Sequence, residues 1–253
     1  MRFMDAHVHL DDEKFDGDRE EIIKNFHRDG VELVVNASCD LETSKKSVAL
    51  IAYENVYCVI GVHPHEAKTY LPEHMACYEE MLTKDKVLGV GECGLDYHYD
   101  FSDRPTQKKV FEIMIDLANR KDVPLVIHSR EAVKDTQDML FSLRKDGPTL
   151  IHCFTGAKEV AREYINQGYY LSIGGALTFK NARHVVESVD YAPMEHILLE
   201  TDAPYMTPVP FRGKRNEPKY ITHVVDKIAE IKGLPREEVI RICNENTRKF
   251  YRL

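Results

Sequence analysis

Short apolar runs alternate along this chain with longer stretches in which apolar residues recur every three or four positions. The runs predict strands and the periodic stretches predict helices. Strands are expected at Phe3 to His9, Val31 to Asn36, Val56 to Val62, Val87 to Glu92, Pro124 to His128, Thr149 to Cys153, Tyr169 to Ile173 and Ile197 to Glu200. Helices are expected at Asp18 to Asp29, Leu41 to Tyr53, Glu73 to Thr83, Thr106 to Arg120, Ala132 to Arg144, Lys158 to Gln167 and Asn181 to Ser188, with Lys219 to Lys232 and Pro235 to Tyr251 closing the chain. Local signals agree: Asp40 is placed to cap a helix, Pro72 to open one, and Gly168 to stop one. In the strongest helix, Val110, Ile113, Met114 and Leu117 fall on one face.

Strands that alternate with helices form parallel sheets, and eight of them are enough to close a (β/α)₈ TIM barrel. That α/β fold is expected here, as one domain over residues 1–253, because no Gly/Ser/Pro-rich linker divides the chain. An open doubly wound sheet has a similar element count. The closed ring is favoured because the polar residues that end the first, fourth, fifth, sixth and eighth strands would then converge.

Those strand ends carry the candidate chemistry. In Met4-Asp5-Ala6-His7-Val8-His9-Leu10, His7 and His9 alternate along one strand and project to the same side. Two such imidazoles can grip one divalent ion, although a strand end also accommodates two ordinary histidines. Glu92 stands between glycines in Gly91-Glu92-Cys93-Gly94 and can bridge two cations with its two oxygens. His128 follows the apolar run Pro124-Leu125-Val126-Ile127, and His152 repeats the arrangement after Thr149-Leu150-Ile151. Either alone is more often a hydrogen-bonded core histidine; two at equivalent strand ends favour ligation. Asp202 follows Leu198-Leu199-Glu200-Thr201, and a cation is the simplest partner for a buried acid there. This nitrogen and oxygen set suits zinc, manganese, cobalt or nickel, and magnesium less well.

Composition narrows the setting. The 253 residues are 43% hydrophobic and 30% charged, which suits one large core. The N-terminus has no basic region followed by an apolar run, so no signal peptide is expected. No apolar run approaches the roughly 20 residues that span a bilayer, so no membrane partner is expected. Six cysteines without a C-x-x-C pair read as free thiols, which points to the cytoplasm. A net charge of −8 argues against a protein that coats duplex DNA, but not against a nuclease whose metal ions carry the positive charge. The segment Phe211-Arg212-Gly213-Lys214-Arg215-Asn216-Glu217-Pro218 places three cations after the last strand. Arg212, Lys214 and Arg215 are therefore candidates for a phosphate backbone, although a charge cluster is usually a solvated loop. His63 and His65, ending the third strand, are candidates for substrate phosphate, and Tyr97, Tyr205 and Phe211 for stacking.

Six stretches in order along the chain resemble the signature of the TatD family of metal-dependent deoxyribonucleases. They are Asp5-Ala6-His7-Val8-His9, Gly61-Val62-His63-Pro64-His65, Gly91-Glu92-Cys93-Gly94-Leu95-Asp96-Tyr97, His128-Ser129-Arg130, His152-Cys153-Phe154-Thr155-Gly156 and Glu200-Thr201-Asp202-Ala203-Pro204-Tyr205. The resemblance implies a (β/α)₈ barrel, one or two divalent ions per subunit, and phosphodiester hydrolysis, commonly 3′→5′ on single-stranded DNA ends. It implies that His7, His9, Glu92 and Asp202 hold one ion, that Glu92, His128 and His152 hold the other, and that Asp202 doubles as general base. Glu92 takes the place that a carbamylated lysine fills in many related barrels. No lysine at a strand end competes for it, since Lys84 and Lys86 precede the fourth strand. The alternative within the same chemistry is hydrolysis of another ester or amide, such as the aminoacyl ester of a charged tRNA.

Overall fold

The computed structural model describes residues 1–253. Its strands are β1 (Phe3–Val8), β2 (Val31–Ala37), β3 (Val56–Ile60), β4 (Val87–Asp96), β5 (Leu125–Arg130), β6 (Thr149–Ile151), β7 (Tyr170–Ile173) and β8 (Ile197–Leu199). Its helices are α1 (Arg19–Lys24), α2 (Leu41–Leu50), α3 (His74–Met81), α4 (Arg104–Lys121), α5 (Val133–Leu143), α6 (Lys158–Asn166), α7 (Arg183–Tyr191), α8 (Ile221–Lys232) and α9 (Arg236–Tyr251). The strands follow one another β1 to β8 in one sheet. With a helix after each strand, this is the (β/α)₈ barrel topology. The contacts group the chain into two compact units, Met1–Asn36 with Cys153–Leu253, and Ala37–His152.

In the first unit, β7 pairs with β8 in parallel, Leu171 opposite Ile197 and Ile173 opposite Leu199. The last helix locks the strands that carry candidate donors. Ile240, Cys243, Thr247, Phe250 and Tyr251 lie on the buried face of α9 at helical spacing. From that helix, Asn244 accepts the Met4 amide at 3.0 Å and donates to the Arg2 carbonyl at 2.8 Å. The Tyr251 hydroxyl donates to the Ala6 carbonyl at 2.8 Å. Asn246 donates to the carbonyls of Met194 and Ile197. Each side chain satisfies a backbone group in or beside a strand.

In the second unit, α2 opens with the expected Asp40 cap, completed as a capping box with Thr43. Strand β4 runs to Asp96 and β5 to Arg130, beyond the ends expected from sequence. The glycines that read as a strand terminus are there because the two backbones approach closely. A Cβ on Gly91 would lie 2.7 Å from Val126 Cβ, and one on Gly94 would lie 2.0 Å from the His128 carbonyl oxygen. The ladder therefore continues past Glu92, pairing Cys93 with Ile127, Gly94 with His128 and Asp96 with Arg130. Helix α1 is shorter than its polar periodicity predicts, ending at Lys24.

Candidate metal centre

Each unit gathers its own set of donors. In the first, His7 and His9 leave β1 on one side, with their Nε2 atoms 3.2 Å apart. Asp202 Oδ1 lies 3.4 Å from His9 Nε2 and 3.9 Å from His7 Nε2. Two ligands bound about 2.1 Å from an ion at tetrahedral angles stand about 3.4 Å apart. All three side chains are buried or nearly so.

The backbone holds this triad in place. The Asp202 amide donates to the His7 carbonyl at 3.0 Å, and the His9 amide to the Ala203 carbonyl at 2.7 Å. Asp202 has φ of 56°, in the left-handed region that few non-glycine residues occupy. The flanking bonds fix that conformation, as is common where a side chain must be aimed at a ligand. Asp5 lies beneath, fully buried, with Oδ1 accepting the Thr201 amide at 2.9 Å and Oδ2 accepting its hydroxyl. Burial pushes the Asp5 carboxyl up to about 8, against the hydrogen bonds from Thr201. Its role is to tie the start of β1 to the turn that carries Asp202.

In the second unit, Glu92 is the hub. Its Oε1 lies 2.8 Å from His152 Nε2, 2.9 Å from His128 Nδ1 and 3.3 Å from His63 Nε2. His152 Nε2 and His128 Nδ1 are 3.4 Å apart. Burial alone would raise the Glu92 carboxyl, but the imidazoles of His152, His63 and His128 outweigh it and hold the group well below the usual carboxylate range. Burial pushes the His63 imidazole down to about 4, against the pull of Glu92. Imidazole nitrogens grouped around a carboxylate form the donor set that zinc and its neighbours take.

From sequence alone Asp96 has no assigned role. Its Oδ2 lies 3.0 Å from His128 Nε2 and 2.8 Å from His65 Nε2, and its Oδ1 accepts the amides of His98 and Tyr99. Its own amide donates to Gln107 Oε1, and Gln107 Nε2 donates back to the Asp96 carbonyl. Burial would raise the Asp96 carboxyl; the hydrogen bonds of His128, the Tyr99 amide and His65 instead hold it far below its ordinary value. For His128 the balance runs the other way: burial lowers it, and the carboxylates of Asp96 and Glu92 raise it. The available signal was the acid four residues after Glu92 in the same strand, on the same side of the sheet.

The chain matches known proteins over its whole length. The family model described as TatD related DNase covers residues 4–252. The chain belongs to the TatD family. Among TatD relatives, it is 41% identical to an uncharacterized metal-dependent hydrolase, YabD, of Bacillus subtilis, covering 98% of each chain. It is 34% identical to the uncharacterized metal-dependent hydrolase TatD of Mycobacterium tuberculosis, covering 99% of this chain and 98% of the other. The crystal structure of YjjV, a TatD homologue from Escherichia coli, superposes with a TM-score of 0.94 at 27% identity, over 100% of this chain and 98% of that one. This TatD protein therefore has the (β/α)₈ barrel fold and is a metal-dependent hydrolase.

The residues fit that description. In the first unit, His7, His9 and Asp202 are the donors close enough to hold an ion. In the second, His63, Glu92 and His128 make such a group, and the His152 nitrogen lies within the same reach of Glu92 and His128. The three basic residues after β8 are placed differently from one another. Arg215 donates to both oxygens of Asp18, at 2.8 and 2.6 Å, and to Glu217. Arg212 stacks its guanidinium 3.9 Å from the centre of the Phe179 ring. Lys214 lies 5.6 Å from the Phe211 ring and is exposed. Tyr205 donates its hydroxyl to Asp12, and Tyr97 donates to Asp135. No helix is long and apolar enough to cross a membrane.

Proposed function

We propose that this protein hydrolyses phosphodiester bonds of DNA, trimming single-stranded ends in the 3′→5′ direction. The observation that carries the reading is the spacing of the buried donors. Atoms of His7, His9 and Asp202, and of Glu92, His128 and His152, stand at separations that an ion of zinc size spans. The family description and the unpaired Lys214 after β8 support a phosphate-bearing substrate.

Divalent ions would supply Lewis acidity toward a phosphoryl oxygen and an acidified water. The chain's own groups do the rest. His7, His9 and Asp202 would hold one ion, and Glu92, His128 and His152 would hold another. Asp202 offers a carboxylate oxygen to take the proton of the attacking water. Arg212 and Lys214 receive the backbone of the incoming strand.

The test is a time course on end-labelled single-stranded DNA and RNA with chelator-treated protein and each divalent metal added back. Progressive shortening of DNA from its 3′ end is expected. Release of internal fragments of fixed size, or hydrolysis of carboxylic esters with DNA left intact, would refute the reading.

A further inference from the structure

Beyond the metal ligands, the loop after β4 holds two large aromatic rings in solvent. Tyr99 is 47% exposed and Phe101 56%. Their rings are stacked, 5.1 Å apart and 12° from parallel. Two rings left in water lose the burial that usually accounts for such residues.

The loop is built. Asp96 Oδ1 accepts the Tyr99 amide at 3.1 Å. The Phe101 carbonyl accepts Lys68 Nζ at 3.1 Å, and the Ser102 hydroxyl donates to the His65 carbonyl at 2.8 Å. The His65 ring stands edge-on to both aromatics, 4.9 Å from Phe101 and 5.4 Å from Tyr99. His65 in turn shares Asp96 Oδ2 with the ligand candidate His128. The platform is thus one residue removed from the metal centre. Above Tyr99, the exposed Arg130 guanidinium lies 4.8 Å from the ring centre and has no carboxylate partner.

We propose that Tyr99, Phe101 and Arg130 form a nucleotide subsite: a nucleobase stacks on the exposed rings while Arg130 meets the adjoining phosphate. A planar base finds a π surface, and its anion finds an unpaired planar cation beside it. A peptide or lipid would use the rings but leave the alternation of ring and cation unexplained. The subsite rests on the phosphodiester reading and narrows it, assigning substrate preference to a base rather than to the backbone alone.

The experiment compares binding of dAMP and of deoxyribose 5-phosphate, which lacks the base, to the metal-loaded protein by calorimetry. The wild type, the Tyr99→Ser/Phe101→Ser double variant and Arg130→Gln are measured at two salt concentrations. Stacking predicts that the wild type prefers dAMP by about 5- to 100-fold. The double variant should bind both ligands alike, at the wild type's affinity for the base-free one. Arg130→Gln should weaken both ligands equally and flatten the salt dependence. A wild type that binds both alike, or neither, or a double variant that keeps its preference, would overturn the subsite. Cleavage of single-stranded DNA by the same wild-type sample is scored in parallel. Failure of cleavage with the dAMP preference intact removes the nuclease reading and leaves the subsite. Cleavage without the preference removes the subsite alone.

Discussion

His128 Nε2 stands 3.0 Å from Asp96 Oδ2, and that contact decides which imidazole nitrogen remains for an ion. With Nε2–H directed at Asp96, Nδ1 is left facing Glu92 and His152. A carboxylate behind a ligating histidine fixes its ring and tautomer, and removing it typically weakens metal binding 10- to 100-fold. Asp96→Asn should therefore lower zinc or cobalt affinity by about that factor, measured by competition with a chromophoric chelator. Unchanged affinity would mean that Asp96 serves the loop alone.

Gly94 makes the second prediction. Its φ is 141°, and a Cβ there would lie 2.0 Å from the His128 carbonyl oxygen. Gly94→Ala must push β5 away from β4, with a cost of about 3 kcal/mol or more from strain and broken ladder bonds. Gly17→Ala is the control, since nothing lies within 4 Å of a Cβ at that position. Thermal unfolding should show a drop of several degrees for Gly94→Ala and little change for Gly17→Ala.

These two positions also show how much the sequence disclosed. Every strand and helix was legible from periodicity, because buried parallel strands and amphipathic helices write their own pattern. The candidate donors His128 and His152 were legible because each stands directly after an apolar run. The end of β4 was not, since glycine reads locally as a break and only the approach of β5 explains Gly91 and Gly94. Asp96 was not legible for the same reason: its partners, His65 and His128, lie 31 and 32 residues away. Arg215 read as a phosphate contact because Asp18, 197 residues distant, was invisible as its partner.

The basic segment after β8 should accordingly divide under mutation. Lys214→Ala and Arg212→Ala should each reduce the slope of log affinity for single-stranded DNA against log salt by about 0.7. Arg215→Ala should leave that slope unchanged and lower stability by about 1 kcal/mol, the usual range for a partly exposed ion pair. Denaturant midpoints and salt titrations separate the two effects. A slope that falls equally for all three would mean that Arg215 leaves Asp18 to bind phosphate.

Asp202 should separate binding from turnover. Asp202→Asn keeps an oxygen donor beside His9 but loses the basicity needed to take a proton from water. Metal content should fall modestly while kcat on DNA drops about 10²-fold or more, within the usual contribution of general base catalysis. Retained kcat would exclude Asp202 as the base.

Metal should also stabilise the fold, because the donors are assembled only in the native chain. At free metal about 100 times its dissociation constant the gain is about 2.7 kcal/mol, or roughly 5–10 °C in Tm for a chain of this size. Calorimetric scans with and without chelator read this directly.

Divalent ions held by these strand-end side chains are proposed to drive phosphodiester hydrolysis. The decisive measurement determines metal content and single-stranded DNA cleavage in the same samples of wild type and Glu92→Gln, after chelation and stepwise return of metal. Wild-type cleavage should rise with bound metal up to two ions per chain, and Glu92→Gln should lose both metal and cleavage. Full cleavage by a metal-free wild type, or by Glu92→Gln, would contradict it.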